Sequence, residues 1–261
     1  MRNYFFWGKT DVRNADVQTS AGTFPKSSNF HRSGANDNLP NGSFSDIWNY
    51  GPTQPLYVWP STDSAFRIKA GGSVNDTILG SHARTIELIF LDNLGVQTIE
   101  VIETNGALAS LSTTKTGRRF IRAKVLDVGT LGLTNDLEII IEHVSSGVIV
   151  GTIKAGFGQS QLSMFTVRKG YEGYVKSGFI IVTGSKSANV NVWVRYGAYK
   201  VSAPFDAKHI FTEFKEVSGY VPFEFKTPRK LAELTDFWFE AEGTGAGVAI
   251  TVHYDLELLK I

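Results

Sequence analysis

The feature that most constrains this chain is a long run of strict alternation near its end. In "GVAITVHYDLEL" (247–258), Val248, Ile250, Val252, Tyr254 and Leu256 alternate with Ala249, Thr251, His253 and Asp255. "ANVNVWVRYG" (188–197) repeats the pattern, with Val190, Val192 and Val194 on one side and Asn191, Trp193 and Arg195 on the other. Successive side chains of a strand point to opposite faces, so such runs build one apolar and one polar face. A helix needs a period of about 3.6, and no long segment has it.

Shorter strands fill the middle of the chain. "ARTIELIFLD" (83–92) and "GVQTIEVIE" (95–103) flank "NLG", a hairpin signal. "RFIRAKVLD" (119–127), "LEIIIEHV" (137–144) and "GVIVGTI" (147–153) follow. "TPRKLAELTDF" (227–237) reads as a loop leading into the strand "FWFEAE". The pattern predicts an all-β protein of two β-sandwich or jelly-roll-like blocks, residues 61–160 and 161–261.

Residues 1–60 read differently. "TSAGTFPKSSNFHRSGANDNLPNGSFSDIWNYGPTQP" is dense in turn formers, yet the stretch carries many aromatic rings. Flexible linkers are poor in aromatics. We expect an irregular N-terminal arm that lies on its own body or on a neighbour. Tyr4, Phe5, Phe6, Trp7, Phe24, Phe30, Phe44 and Trp48 are its expected interface residues, because each ring hides a large apolar area.

Bulk composition narrows the function. Charged residues make up 20% and apolar ones 42%, which suits a globular chain with a real core. The net charge of +1 argues against nucleic acid or an anionic membrane as the main partner. With no cysteine, disulfides and thiolate chemistry are excluded. No segment approaches the ~20 apolar residues of a membrane span, and "YFFW" is too short for a signal core, so folding in a cytosol is expected.

Candidate chemistry is sparse. The five histidines, His31, His82, His143, His209 and His253, show no metal-ligand spacing, and His143 and His253 read as solvated strand residues. "GGSVNDTILGSHARTIELIFLD" (71–92) offers Asp76, Ser81 and His82, but no nucleophile elbow accompanies them, and a polar turn is the plainer reading. Asp37, Asn38, Asn41 and Asp46 make a faint calcium-loop pattern without its register. Lys115, Arg118, Arg119, Arg122 and Lys124 form one basic cluster, read as a solvated turn and strand face or as a salt-bridging surface toward an acidic neighbour. No catalytic residue, cofactor or metal ligand is expected.

Several phrases together resemble structural proteins of tailed bacteriophages of the marine-phage type. They are "IWNYG...PLYVWP", "SVNDTILGSHARTIELIFLDNLG", "RRFIRAKVLDVGTLG", "VIVGTIKAGFGQSQLSMFTVRKGYEGYVKSGFIIV" and "DFWFEAEGTGAGVAITVHYDLELL". The resemblance runs from Ile47 to the C-terminus. It implies a non-enzymatic virion protein, assembled in the host bacterial cytoplasm. A capsid decoration or cement protein, bound to a major capsid protein and to copies of itself, is the leading expectation. A tail, adaptor or host-receptor-binding part is the alternative, and a carbohydrate-binding or carbohydrate-active β-sandwich the second alternative.

Overall fold

The computed structural model describes residues 27–50, 56–200 and 204–261. Among them there is no helix. The strands are β1 (Ser27–Asn36), β2 (Ser45–Asp46), β3 (Phe66–Ile68), β4 (Ala83–Asp92), β5 (Gln97–Glu103), β6 (Gly117–Val128), β7 (Ile139–His143) and β8 (Val148–Ile153). They continue with β9 (Phe165–Thr166), β10 (Tyr171–Thr183), β11 (Ala188–Arg195), β12 (Lys208–Val217), β13 (Gly219–Leu231), β14 (Asp236–Gly243) and β15 (Ala249–Lys260).

Two sheets with the orders β1-β15-β10-β13 and β12-β11-β14-β2 enclose the larger core. Taken alone and counted along the chain, these eight strands lie in the orders 1-8-3-6 and 5-4-7-2. That is the double-sheet jelly roll, in which sequence neighbours alternate between sheets except for the paired fourth and fifth strands, β11 and β12. The alternating valines of β11 and the inward Val252, Tyr254 and Leu256 of β15 meet Phe237 and Phe239 of β14 in its centre.

The jelly roll is interrupted in its second strand. Ser45 and Asp46 pair with Ala241 and Glu240, and Ile47 N–H donates to Phe239 O at 3.1 Å. Phe165 and Thr166 then pair with Phe237 and Asp236, further along the same edge of β14. The residues between leave and return through a neck. There Trp48 bridges Leu162, Asn49 N–H donates to Gln161 O at 3.1 Å, and Ser163 N–H donates to Ile47 O at 3.1 Å.

The inserted unit is a smaller sandwich of β3-β7-β8 and β5-β4-β6. Phe66, Ile86, Leu88, Phe90, Phe120, Ile141 and Val150 fill it. At Gly151 a Cβ would lie 2.3 Å from the Phe120 ring, so only glycine lets the two sheets close here.

This corrects the expected division of the chain. Ser27–Asn36 is no irregular arm: it pairs with β15 from Ser27↔Leu259 to Asn36↔Ile250. Residues 27–48 thus belong to the same jelly roll as the C-terminal block, and the middle block is spliced into it. β13 also runs through "TPRKL", where a loop was expected.

Candidate functional site

The junction between the two units is the most elaborate polar site in the described residues. Asp236 opens β14 with no solvent exposure. Its Oδ1 accepts from Arg119 Nε of β6 at 3.0 Å and from Thr166 Oγ1 of β9 at 2.6 Å. Its Oδ2 accepts from Arg195 Nη2 of β11 at 2.5 Å. Arg119 also donates to the carbonyls of Pro60 at 2.8 Å and Ala198 at 2.7 Å. A buried charge is tolerated only when paired and hydrogen-bonded, and both conditions hold here. Arg32, buried in β1, is a second bolt, donating to Ile121 O of β6 and to Met164 O.

Aromatic rings pack beside these ions. Trp48 stacks on Tyr50 at 5.1 Å and meets the edge of Tyr57 at 5.1 Å. Tyr57 leads to Trp59 at 5.1 Å and Trp59 to Trp238 at 5.7 Å. The Arg119 and Arg195 guanidiniums sit 5.0 and 5.3 Å from the Trp59 ring. Burial lifts the Asp46 carboxyl to about 7, with Glu240 adding to the rise and the 2.8 Å bond from Tyr57 N–H opposing it. Trp59, Arg119 and Arg195 also line a cleft of about 140 Å³ with Arg118, Lys200, Phe205 and Asp206. The contacts tie the inserted unit to the jelly roll.

Three of the expected arm residues can be placed. Trp48 is buried in the neck. Phe30 is half-buried against the jelly-roll core, 5.9 Å from Phe165 and 5.8 Å from the Arg168 guanidinium. Phe44 is half-buried. Phe30 and Trp48 are therefore pins within their own chain, a correction to their expected place on an arm. Tyr4, Phe5, Phe6, Trp7 and Phe24 lie outside the described residues.

The 71–92 stretch resolves into scaffold. The buried Asp76 carboxylate accepts backbone N–H groups from Ala83 at 3.0 Å, Asp136 at 3.1 Å and Leu137 at 3.4 Å. Ser81 Oγ lies 3.1 Å from His82 Nδ1, but the far ring nitrogen is 3.8 Å from Asp136 Oδ1. That carboxylate is already held by Ser73 at 2.5 Å and Asn75 at 3.0 Å. His82, Gly132–Asp136, Ala155 and Gly156 line an open cleft of about 510 Å³.

The other candidates also find structural partners. Arg118 pairs with Asp63 at 2.6 Å, Lys124 with Glu87 at 2.9 Å, and Arg122 donates to Gln159. Asp37 pairs with Lys154 and Asp46 turns to Tyr57, so the calcium-loop residues diverge. Among the described residues no three His, Asp or Glu side chains gather at metal-binding geometry. His143 is a correction: it is fully buried, Nε2 bonding to Thr62 O at 3.0 Å, and burial lowers its pKa. His253 does face outward, but it is half-buried, stacked on Phe179 at 4.5 Å and on His31 at 5.5 Å.

One surface was missed in the sequence. β12 and β13 end their respective sheets, and between them lie the half-buried Phe211, Phe214, Phe223 and Phe225. The Arg229 guanidinium sits 5.0 Å from both the Phe211 and Phe225 rings. Pro222 and Pro228 fall within β13. Proline withholds a backbone donor and blunts an edge that would otherwise recruit another strand.

No protein-family model and no curated sequence matches the chain. Among solved structures, the VP2 subviral particle of infectious bursal disease virus aligns at 7% identity and a TM-score of 0.25, covering 97% of this chain and 75% of that one. T=1 particles derived from the same virus align at 8% identity and a TM-score of 0.22, covering 90% and 74%. These weak neighbours are viral capsid proteins; TM-scores this low do not establish a shared fold. Among the described residues no helix is long and apolar enough to cross a membrane.

Proposed function

We propose that the chain is a non-enzymatic structural protein of a virus particle. The carrying observation is the strand order of the two sheets, 1-8-3-6 against 5-4-7-2, with a second sandwich inserted into the second strand. The jelly roll is a recurrent shell-building unit of viral capsids, and also of lectins. The polar groups that sequence alone offered for chemistry are engaged in holding loops and the junction, which favours a scaffold over a catalyst.

Within the particle, the finer role proposed is decoration or cementing of the head of a tailed phage, through contacts with the major capsid protein and with other copies of itself. The aromatic run Tyr4, Phe5, Phe6 and Trp7 is the proposed anchor on the neighbouring subunit. A tail or adaptor position is the competing assignment, and copy number separates the two. Quantitative mass spectrometry of purified particles should find this chain in hundreds of copies. A dozen or fewer would move it to the tail, and its absence from particles would end the virion reading. Binding of the purified chain on a glycan array, with no particle association, would instead support the lectin use of the fold.

A further inference from the structure

We propose that Arg195, in the cleft at the junction, binds a carboxylate group supplied by another molecule. This goes beyond the virion reading and does not rest on it.

Five cationic side chains gather around this cleft. Arg118 and Arg119 lie at the start of β6, Arg195 ends β11, Lys200 follows it, and Lys208 of β12 stands directly opposite Arg195. Four of them have a carboxylate each. Arg118 forks onto Asp63 at 3.0 and 2.6 Å, and Lys200 meets Asp206 at 2.5 Å. Lys208 meets Glu240 at 3.2 Å, and Arg119 takes both oxygens of Asp236 at 3.0 and 3.3 Å. Arg195 has only a share in Asp236, its Nε and Nη2 both donating to Oδ2 at 3.2 and 2.5 Å. One carboxylate thus serves two guanidiniums. Asp46, paired across from Glu240, adds no charge in acid or near-neutral solution, because burial holds its proton up to about 7. A surplus positive charge remains, and it belongs to Arg195.

The unspent hydrogen bonds belong to the same side chain. A guanidinium carries five N–H donors. Arg119 spends its donors on Asp236 and on the carbonyls of Pro60, Arg118 and Ala198. Arg195 Nη1 meets no acceptor among the described residues. Arg195 is also the open one, at 29% side-chain exposure against 7% for Arg118 and 4% for Arg119. Asp236 holds it on one side, and the Trp59 and Trp238 rings lie 5.3 and 6.0 Å from its guanidinium carbon. A guanidinium fixed in this way needs little ordering to receive an anion.

The cleft selects the anion. Its volume of about 140 Å³ is below the ~300–1,000 Å³ of ordinary ligand pockets, so it admits one small group and no nucleotide or glycan chain. A single surplus charge suits a monoanion; a dianion would bring excess negative charge beside Asp236, Asp63 and Asp206. A planar carboxylate also matches one edge of a guanidinium with two parallel N–H bonds. The Trp59 ring supplies an apolar wall for the carbon that bears it.

The experiment titrates the full chain at pH 6 with sodium acetate and reads the arginine Nε–H signals by NMR. The assigned Arg195 signal should move saturably, with a dissociation constant of about 1–10 mM for a ligand this small. Arg195→Gln should bind at least about tenfold more weakly. Arg122→Gln, which alters a guanidinium outside the cleft, should bind as the parent does. Asp206→Asn removes a carboxylate from the cleft wall and should tighten binding severalfold. The peptide acetyl-Gly-Glu-Gly-amide fixes the source. Binding tighter than acetate puts the carboxylate on a protein side chain, and exclusion of the peptide with acetate retained puts it on a free small acid. The parent titration decides by itself if a variant does not fold. No saturable shift up to about 100 mM acetate, an equal shift from sodium chloride at the same ionic strength, or tighter binding of sulfate overturns the proposal.

Discussion

Arg119 and Asp236 form an ion pair across the junction at 3.0 Å, with side-chain exposures of 4% and 0%. The two residues belong to different units and lie far apart in sequence, so their pairing reports on the relation between the inserted sandwich and the jelly roll. Removing one member of a buried pair leaves the other's charge without compensation, a loss of about 3–5 kcal/mol. Arg119→Met should therefore lower stability by that order, softened by Arg195, which still reaches Asp236. Urea denaturation of parent and variant checks it. A change below about 1 kcal/mol, the ordinary range of an exposed pair, would show that the junction is not held by this contact.

The neck depends on a close backbone approach at Gly34 of β1. A Cβ there would lie 2.6 Å from Ser163 N and 2.7 Å from Ile47 O, both backbone atoms fixed by the neck pairing. Gly34→Ala should destabilise by about 1–3 kcal/mol through overpacking, although alanine favours ordered backbone elsewhere. Gly42 offers the contrast in space: nothing lies within 4 Å of its Cβ position, but its φ of +73° makes any substitution strained. A thermal midpoint for Gly34→Ala equal to the parent's would mean that β1 can move away from the neck at no cost.

Asp46 makes stability depend on pH in the sense opposite to an ordinary paired carboxylate. Burial raises its folded pKa to about 7, while an unfolded aspartate titrates at about 3.9. Between these values the native state holds a proton that the unfolded chain has lost. Stability is therefore fully present below about pH 4 and falls as pH rises to about 7, by about 1.4 kcal/mol for each unit of displacement. Asn at this position keeps an oxygen for Tyr57 N–H and removes the titration. The advantage of Asp46→Asn over the parent should grow from pH 4 to pH 7 and level off above pH 8. Melting curves across that range test it, and a constant offset would refute the assignment.

The strands that the sequence displayed are those whose inward positions are all apolar, such as Val190, Val192 and Val194 of β11. β1 was illegible because its inward residues are Phe30, Arg32, Gly34 and Asn36. A guanidinium serves two carbonyls, a glycine admits the neck, and an amide bonds toward Ser45 Oγ, so no hydrophobic period survives. The splice was hidden for a different reason. Thr166 and Asp46 lie on one edge of β14, but only that shared neighbour reveals them as one interrupted strand. Net charge suggested a solvated or salt-bridging face for the basic cluster, but Arg118 and Arg119 are buried, and that Arg119 would sit at a junction could not be inferred without the position of Asp236. His143 sits at a strand end like a solvent-facing residue, and only the chain crossing at Thr62 covers it.

Asp76 gives the last prediction. Its carboxylate gathers the backbone N–H groups of Ala83, Asp136 and Leu137, tying the 71–82 loop to the start of β4 and to the 129–137 loop. These donors are covered by the fold, and each one left unsatisfied costs about 1–3 kcal/mol. Asp76→Ala orphans the set, whereas Asp76→Asn retains one acceptor oxygen and replaces the other with a donor that meets N–H groups unfavourably. Both variants should therefore loosen the free end of the inserted unit, alanine more than asparagine, while the jelly roll stays closed. Hydrogen exchange read by mass spectrometry resolves this: faster exchange in 71–83 and 129–137, with β11, β14 and β15 unchanged. Uniform acceleration through the whole chain would instead mean that Asp76 supports global folding and that the loops have no separate order of their own.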